Sequence, residues 1–140
     1  MPTLQSRPSS DHKIEIAGRG RNGSLEVLMT IMIICRARKD ISELRRKVRR
    51  AHLEYMIRNR DRLVFGGAML TQDQGSMSGM LVVLEKATLE SARQFMAEEP
   101  YNKAGMFQEI MIEPFATRVP EPEPGYLQRE LERETLVSNN

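Results

Sequence analysis

The chain has 140 residues, of which 40% are hydrophobic and 29% are charged, and its formal net charge is +2. This length suits one domain, and the composition excludes disordered and fibrous proteins. The longest apolar run is far below the ~20 residues that a transmembrane helix needs, so no membrane association is expected. A single cysteine and the lack of an apolar signal segment predict a cytoplasmic protein.

The first half of the chain predicts a strand followed by a long helix. Residues 1–25 have the composition of a flexible N-terminal extension. Residues 27–35 are apolar on both faces, which is typical of a central strand that is covered on each side. Asp40 and Glu43 have the spacing of a capping box, and apolar residues then recur at helical spacing to about Asn59.

The next segment predicts two strands. Residues 63–65 form a short apolar run that meets Gly66 and Gly67, where we expect the strand to end because the backbone must bend or admit a close neighbour. After a polar turn, residues 80–84 are again apolar on both faces, so they predict a second central strand.

The last elements complete a β-α-β-β-α-β order. Thr88 can cap a second helix that Pro100 ends, and residues 106–115 predict a final strand. The two doubly apolar strands occupy the first and third strand positions, which a ferredoxin-like α+β sheet places at its centre. We therefore delimit a domain at residues 26–116. Residues 117–140 form a Pro- and Glu-rich tail that leads to a short helix or remains disordered.

His52 is the best acid/base candidate, because histidine can gain and lose a proton near neutral pH. It borders the apolar stripe of the first helix, so the alternative is a hydrogen-bonded residue at the edge of the core. Arg49 lies one turn earlier on the same side and could hold an anionic group of a ligand. A solvated arginine is the other interpretation.

The segment between Arg36 and Arg62 is basic, with eleven Lys and Arg against four Asp and Glu. Such a cluster is compatible with nucleic acid or with anionic ligands. However, these residues largely occupy the solvent face of a helix, and no aromatic side chains alternate with them. A solvated face is therefore favoured, and nucleic-acid binding is not expected. Because metal-binding, dinucleotide, Walker and GxSxG motifs are also missing, we expect neither a metal nor another cofactor.

Four short motifs, spread over about residues 28–115, resemble the YciI-like (YCII-related) family. They are Arg49-Arg50-Ala51-His52-Leu53, Asp61-Arg62-Leu63-Val64-Phe65-Gly66-Gly67, Ser78-Gly79-Met80-Leu81-Val82-Val83 and Glu99-Pro100-Tyr101-Asn102-Lys103-Ala104-Gly105-Met106-Phe107. Each motif is weak alone, but four in the right order are fairly specific.

This resemblance implies a dimeric ferredoxin-like α/β barrel with a histidine in its pocket, paired with a carboxylate. His52 would then be the general acid/base. The family's Asp before Pro-Tyr is Glu99 here, and its extra methylene moves the carboxylate by about a bond length. Asp61 is an alternative carboxylate by sequence position. The motif residues expected to contact a substrate are Arg49, Gly67, Ser78 and Tyr101.

The resemblance also implies the chemistry, since one type of family member removes chloride from a chlorinated hydroxyhydroquinone. We expect a small cofactor-independent enzyme of lyase, isomerase or dehydrochlorinase type, acting on a phenolic, quinone-like or enolisable substrate. The alternative is a non-enzymatic dimeric module that binds a small ligand or a protein. A homodimer is expected in both cases, because helices on one face of the sheet leave an apolar face to be covered.

Overall fold

A computed structural model describes residues 14–21, 23 and 25–139 of the chain. The strands in this part are β1 (Glu15–Arg19), β2 (Leu25–Ala37), β3 (Leu63–Leu70), β4 (Met77–Ala87) and β5 (Phe107–Pro114). The helices are α1 (Ser42–Asn59), α2 (Leu89–Glu98), α3 (Pro100–Lys103) and α4 (Tyr126–Ser138), and a 3-10 turn, Arg60–Arg62, joins α1 to β3.

The sheet has the strand order of a ferredoxin-like fold. Strand β2 pairs with β4 on one side and β5 on the other, and β3 pairs with β4, all antiparallel. The order across the sheet is therefore β5-β2-β4-β3, with the two doubly apolar strands in the middle. The α+β fold class predicted from the sequence is confirmed.

Two described elements lie outside the β-α-β-β-α-β unit. Strand β1 falls within the predicted N-terminal extension and pairs with the beginning of β2, with Glu15 opposite Leu28 and Arg19 opposite Leu25. The first 13 residues of that extension lie outside the described part of the chain. At the other end, the tail after β5 leads into α4, of which Tyr126 is the buried residue.

The predicted cap of α1 is wrong, whereas Thr88 caps α2 as expected. Asp40 has a φ of 60°, and Ile41 occupies the N-cap of α1 without a side-chain hydrogen bond. Asp40 is in the left-handed region rather than the extended conformation of an N-cap residue, so it turns the chain instead of capping it. Thr88 and Ser91 form a reciprocal capping box at α2.

Strand β3 is longer than the sequence predicted. It does not end at the two glycines but continues to Leu70, with Gly66 opposite Val82 and Gly67 opposite Leu81 in β4. The ladder with β4 supplies backbone partners that hold these glycines extended, although their intrinsic preference is weak. The predicted strand end is therefore wrong, and the glycines form part of the sheet.

The core lies between the sheet and the helices. Ile31, Ile33 and Cys35 of β2 are fully buried on one face, and they pack in one cluster with side chains of β4, α1 and α2. The main members from those elements are Met80, Val82, Leu84, Tyr55, Ala92, Phe95 and Met96. The alternation of β2 thus assigns its odd-numbered residues to the helix-covered face.

The opposite sheet face is apolar and open. Because paired residues of an antiparallel ladder point to the same face, two rows cross this open face. The rows are Phe65, Val83 and Met32, and then Leu81, Ile34 and Met111; the first row ends at the exposed Glu113 of β5. Phe65 is 59% exposed and Met111 36% exposed, whereas Val83 is buried and the other three are half-buried. We call these six residues the open face.

Gly79 is the glycine that the packing of β2 on β4 requires. A Cβ there would overlap the carbonyl oxygen of Cys35, whereas a Cβ on Gly67 would meet no atom within 4 Å. We predict that Gly79→Ala lowers the free energy of unfolding by roughly 1–3 kcal/mol, because the backbones of β2 and β4 must separate. Gly67→Ala is the matched control and should not destabilise. Urea unfolding of both variants measures this, and equal stabilities would contradict it.

Candidate active site

One face of α1 borders a cavity. Arg45, Arg49, His52, Leu53 and Met56 all line it, and their spacing of three or four residues places them along one side of the helix. The helix periodicity that packs α1 on the sheet therefore also brings two guanidinium groups and one imidazole to a single space.

The cavity has a volume of about 290 Å³, which suits a small ligand. Strands β3 and β4 and Tyr101 complete its wall through Leu63, Gly66, Gly67, Ala68, Met77, Met80 and Val82. Gly66 is paired with Val82, so a side chain on Gly66 would project to the helix-covered face. Its missing side chain leaves room between α1 and β3.

His52 is held by Glu99. The Nδ1 atom of His52 lies 2.6 Å from Oε1 of Glu99, and the two side chains are 14% and 0% exposed. When the carboxylate of Glu99 is ionised it can only accept hydrogen bonds, and Nδ1 is then the donor in this contact. The other ring nitrogen, Nε2, is then free of a proton in the neutral ring and can accept one.

Glu99 is fixed by its position at a helix start. It is the N-cap residue of α3, and its Oε2 accepts a hydrogen bond of 2.9 Å from the backbone N–H of Asn102. The Asn102 side chain in turn donates to the carbonyl of Met96 at 2.8 Å. Both oxygens of Glu99 are thus bonded. The longer side chain that replaces the family's Asp reaches the imidazole without difficulty.

Tyr101 fixes the plane of the imidazole. Its ring is stacked on that of His52, with centroids 3.9 Å apart and planes inclined by 12°. Tyr101 is buried and lies two residues after Glu99, so the same short segment supplies the hydrogen-bond acceptor and the stacking ring. Stacking and hydrogen bond together leave the His52 ring little freedom to rotate.

Cys35 lies behind the site as a neutral group. Burial, and then the negative charge of Glu99, raise the pKa of its thiol to about 12. A thiol of such high pKa stays protonated at neutral pH and is a poor nucleophile. Cys35 therefore belongs to the core rather than to the reactive groups.

The structure brings together most, but not all, of the residues that the sequence singled out. His52 and Glu99 are in contact, and Arg49, Gly67 and Tyr101 line the cavity. Asp61 does not line the cavity. It is exposed in the turn after α1. Because it follows His52 by nine residues, it lies roughly 13 Å farther along the direction of the helix. Ser78 lies in β4 and does not line the cavity either. The carboxylate that the geometry selects is Glu99.

Arg45 is the residue that sequence reasoning missed. It precedes Arg49 by four residues and His52 by seven, so the helical pattern already placed it on the same face. The many other arginines of α1 concealed this signal. Only the position of the sheet shows which of them are turned inward.

The cavity offers two kinds of chemistry. Its imidazole can transfer a proton, and its guanidinium groups can donate hydrogen bonds to an anion. In the described part of the chain, no group of three or more His, Cys, Asp and Glu residues is placed to hold a metal ion.

Comparison with known proteins gives one family. A model of the YCII-related domain matches residues 29–116. Protein YciI of Escherichia coli and Protein YciI of Shigella flexneri are each 29% identical to the chain over 94 residues, which cover 62% of this chain and 96% of either relative.

A solved structure has the same fold. It is a 5-chloro-2-hydroxyhydroquinone dehydrochlorinase from Burkholderia phenoliruptrix in complex with 2,5-dihydroxybenzoquinone, and it matches with a TM-score of 0.61 and 23% identity. The match covers 66% of this chain and 99% of the dehydrochlorinase. Since the family model spans more than half of the residues, the resemblance found in the sequence is confirmed, and the chain belongs to the YCII-related family.

Proposed function

We propose that the chain is a small enzyme in which His52 acts as a general acid/base, without a cofactor, on a phenolic, quinone-like or enolisable substrate. The observation that carries the proposal is the 2.6 Å contact between His52 and the buried Glu99 beside a cavity. A hydrogen-bonded, oriented imidazole next to a ligand-sized space is the arrangement that proton-transfer enzymes use.

The proton would move through Nε2 of His52. This atom takes a proton from an O–H or an acidic C–H of the substrate, which leaves an enolate or phenolate. The resulting imidazolium is stabilised by Glu99, which accepts from Nδ1. The same proton is then returned to another substrate atom in an isomerisation, or released after chloride departs in a dehydrochlorination.

The dehydrochlorinase supports this substrate class. Its structure contains 2,5-dihydroxybenzoquinone, a small ring whose hydroxyl groups can lose protons. A cavity of about 290 Å³ on this chain accommodates one ring of that size, and its Leu, Met and Val side chains provide an apolar wall. We therefore place oxygenated six-membered rings first among the candidates.

Turnover provides the direct test of the acid/base role. His52→Ala should lower kcat by about 10²–10⁴ on the substrate found by screening chlorinated and hydroxylated phenols and quinones, because the proton acceptor is lost. Glu99→Gln should lower kcat as well, since the imidazolium loses its counter-charge. Glu98→Gln is the matched control: Glu98 is the adjacent acid, but it is exposed and bonded to Gln94. Normal turnover by His52→Ala would refute the role.

Nuclear magnetic resonance can test the orientation of His52 before any substrate is known. With His52 neutral, we predict protonated Nδ1 and unprotonated Nε2, because the carboxylate of Glu99 is an acceptor only. Long-range ¹H–¹⁵N spectra report this tautomer. The chain has two histidines, so His12→Asn assigns the signals.

The preference for this tautomer should weaken in Glu99→Gln and persist in Glu98→Gln. A His52 ring that carries its proton on Nε2 in the wild type would contradict the proposed role of Glu99.

The alternative function is a non-enzymatic module that binds a small ligand or a protein. One observation favours a protein partner: α4 exposes Leu127, Leu131 and Leu136, and an isolated helix of its 13 residues is marginal in water. This module would be favoured if substitution of His52 changed no measurable turnover and if α4 became protected from proteases in a complex with a partner protein.

We further propose that the protein is a homodimer in which two open faces cover each other. The six residues of the open face form an apolar surface on the side of the sheet away from the helices. Covering such a face removes apolar area from water, and a second sheet of the same shape does so symmetrically.

Light scattering tests the dimer. Phe65→Glu should shift the mass from dimer to monomer, because a buried charge without a partner is costly at an interface. Ile57→Glu is the matched control, since Ile57 is 58% exposed, close to the 59% of Phe65, but lies on α1. A wild-type protein with a concentration-independent monomer mass would contradict the proposal.

We propose that the protein is cytoplasmic, as the sequence predicts. In the part of the chain that the structure describes, no helix is long and apolar enough to cross a membrane. The free, buried Cys35 is compatible with the reducing conditions of that compartment.

A further inference from the structure

Arg45 holds a buried hydrogen-bond donor that has no acceptor. Its Nε atom is inaccessible to solvent, and no described residue accepts a hydrogen bond from it. Arginine keeps its charge at all ordinary pH values, so loss of a proton cannot relieve this situation. Buried polar groups without partners are rare in folded proteins, and each calls for an acceptor.

The surroundings of Arg45 do not contain that acceptor. Arg45 and Arg49 both line the cavity, and among the described residues no carboxylate lines it with them. Glu99 contacts His52, which lines the cavity, but its two oxygens are already bonded to His52 and to the N–H of Asn102. The cavity therefore carries uncompensated positive charge.

Another arginine of α1 shows the contrast. Arg50 is exposed and forms a salt bridge of 3.1 Å with Glu54, one turn later on the helix. In the described part of the chain, Arg50 has a carboxylate partner, whereas no salt bridge is formed by Arg45 or by the exposed Arg49. Water can accept hydrogen bonds from an exposed guanidinium, but it cannot reach the buried Nε of Arg45.

We infer that the missing acceptor is an anionic group of the ligand, and that the cavity selects small rings bearing a carboxylate or phenolate over their neutral analogues. Because this Nε is closed to solvent in the free protein, the Arg45 side chain turns as the ligand enters, so that its Nε–H donates to the anionic oxygen. Arg49, which is exposed, contributes its charge from one turn farther along α1. The ring lies against the apolar wall formed by β3 and β4, within reach of His52. This inference rests on the proposed function for the position of the substrate, but it requires no proton transfer by His52.

Benzoate and benzamide provide a matched pair of probes, because they have nearly the same shape and differ in charge. Titration of the ¹⁵N-labelled protein, followed through backbone amides of α1 and β3, gives the Kd for each. We expect benzoate to bind at least tenfold more tightly than benzamide. Arg45→Gln should raise the Kd of benzoate about ten- to hundredfold, since a charge-assisted hydrogen bond is lost, and should leave the Kd of benzamide unchanged.

Arg46→Gln is the control variant. Arg46 is the neighbouring residue, carries the same charge and is exposed on the other side of α1, outside the cavity. Its substitution changes the net charge of the protein by the same amount, so it should alter the Kd of benzoate by less than twofold. An equal loss of benzoate affinity in both variants would show that only the net charge of the protein matters, and it would overturn the inference.

Two further measurements separate binding from folding and from catalysis. Without ligand, Arg45→Gln should have a Tm equal to or above that of the wild type, because an unpaired buried donor is removed. Arg45→Lys, which keeps the charge but not the planar donor, should recover only part of the affinity. A wild type that fails to bind benzoate, or a Gln variant that binds it normally, would overturn the inference.

His52→Gln distinguishes this inference from the proposed function. It should lower kcat by about 10²–10⁴, as His52→Ala does, while changing the Kd of benzoate by only a few fold. If anion binding depends on Arg45 but His52→Gln retains turnover, the acid/base proposal fails and the anion site remains. If His52 is needed for turnover but Arg45→Gln does not change the Kd of benzoate, the anion site fails and the acid/base proposal remains.

Discussion

The hydrogen bond between His52 and Glu99 is the constraint on which the site depends. A fully buried carboxylate is stable only when its oxygens are satisfied, and Glu99 meets this condition with His52 on one oxygen and the backbone of Asn102 on the other. The first of these bonds joins α1 to the N-cap of α3, and the second lies within the first turn of α3. The interaction that satisfies the buried carboxylate therefore also orients the imidazole.

The strands next to the His52–Glu99 pair combine close packing with a cavity. Gly79 allows β4 to approach β2 closely, whereas Gly66 leaves the wall of β3 without a side chain where the cavity lies. Tyr101 then covers one face of the imidazole ring. Close packing and an open cavity thus occur on neighbouring strands, each beside a glycine.

Much of the fold could be predicted from local patterns. Apolar runs located β2 and β4, helical spacing located α1, and Thr88 marked the start of α2, since each of these signals comes from residues near one another in the chain. The local pattern was misleading where tertiary contacts decide. Asp40 has the residue type of a cap but turns the chain instead, and the glycines of β3 continue a strand because β4 pairs with them.

The sequence by itself determined the family and the order of the main elements, and it singled out His52 as the acid/base candidate, because these depend on motif, periodicity and residue chemistry. Only the tertiary structure showed that Glu99, rather than Asp61, contacts His52, and that Arg45 lines the cavity. Glu99 is 47 positions from His52 in the chain, and its contact with the ring arises from packing of α1 against α3 on one sheet. Burial and contact between distant residues are properties of that packing, and no local pattern encodes them.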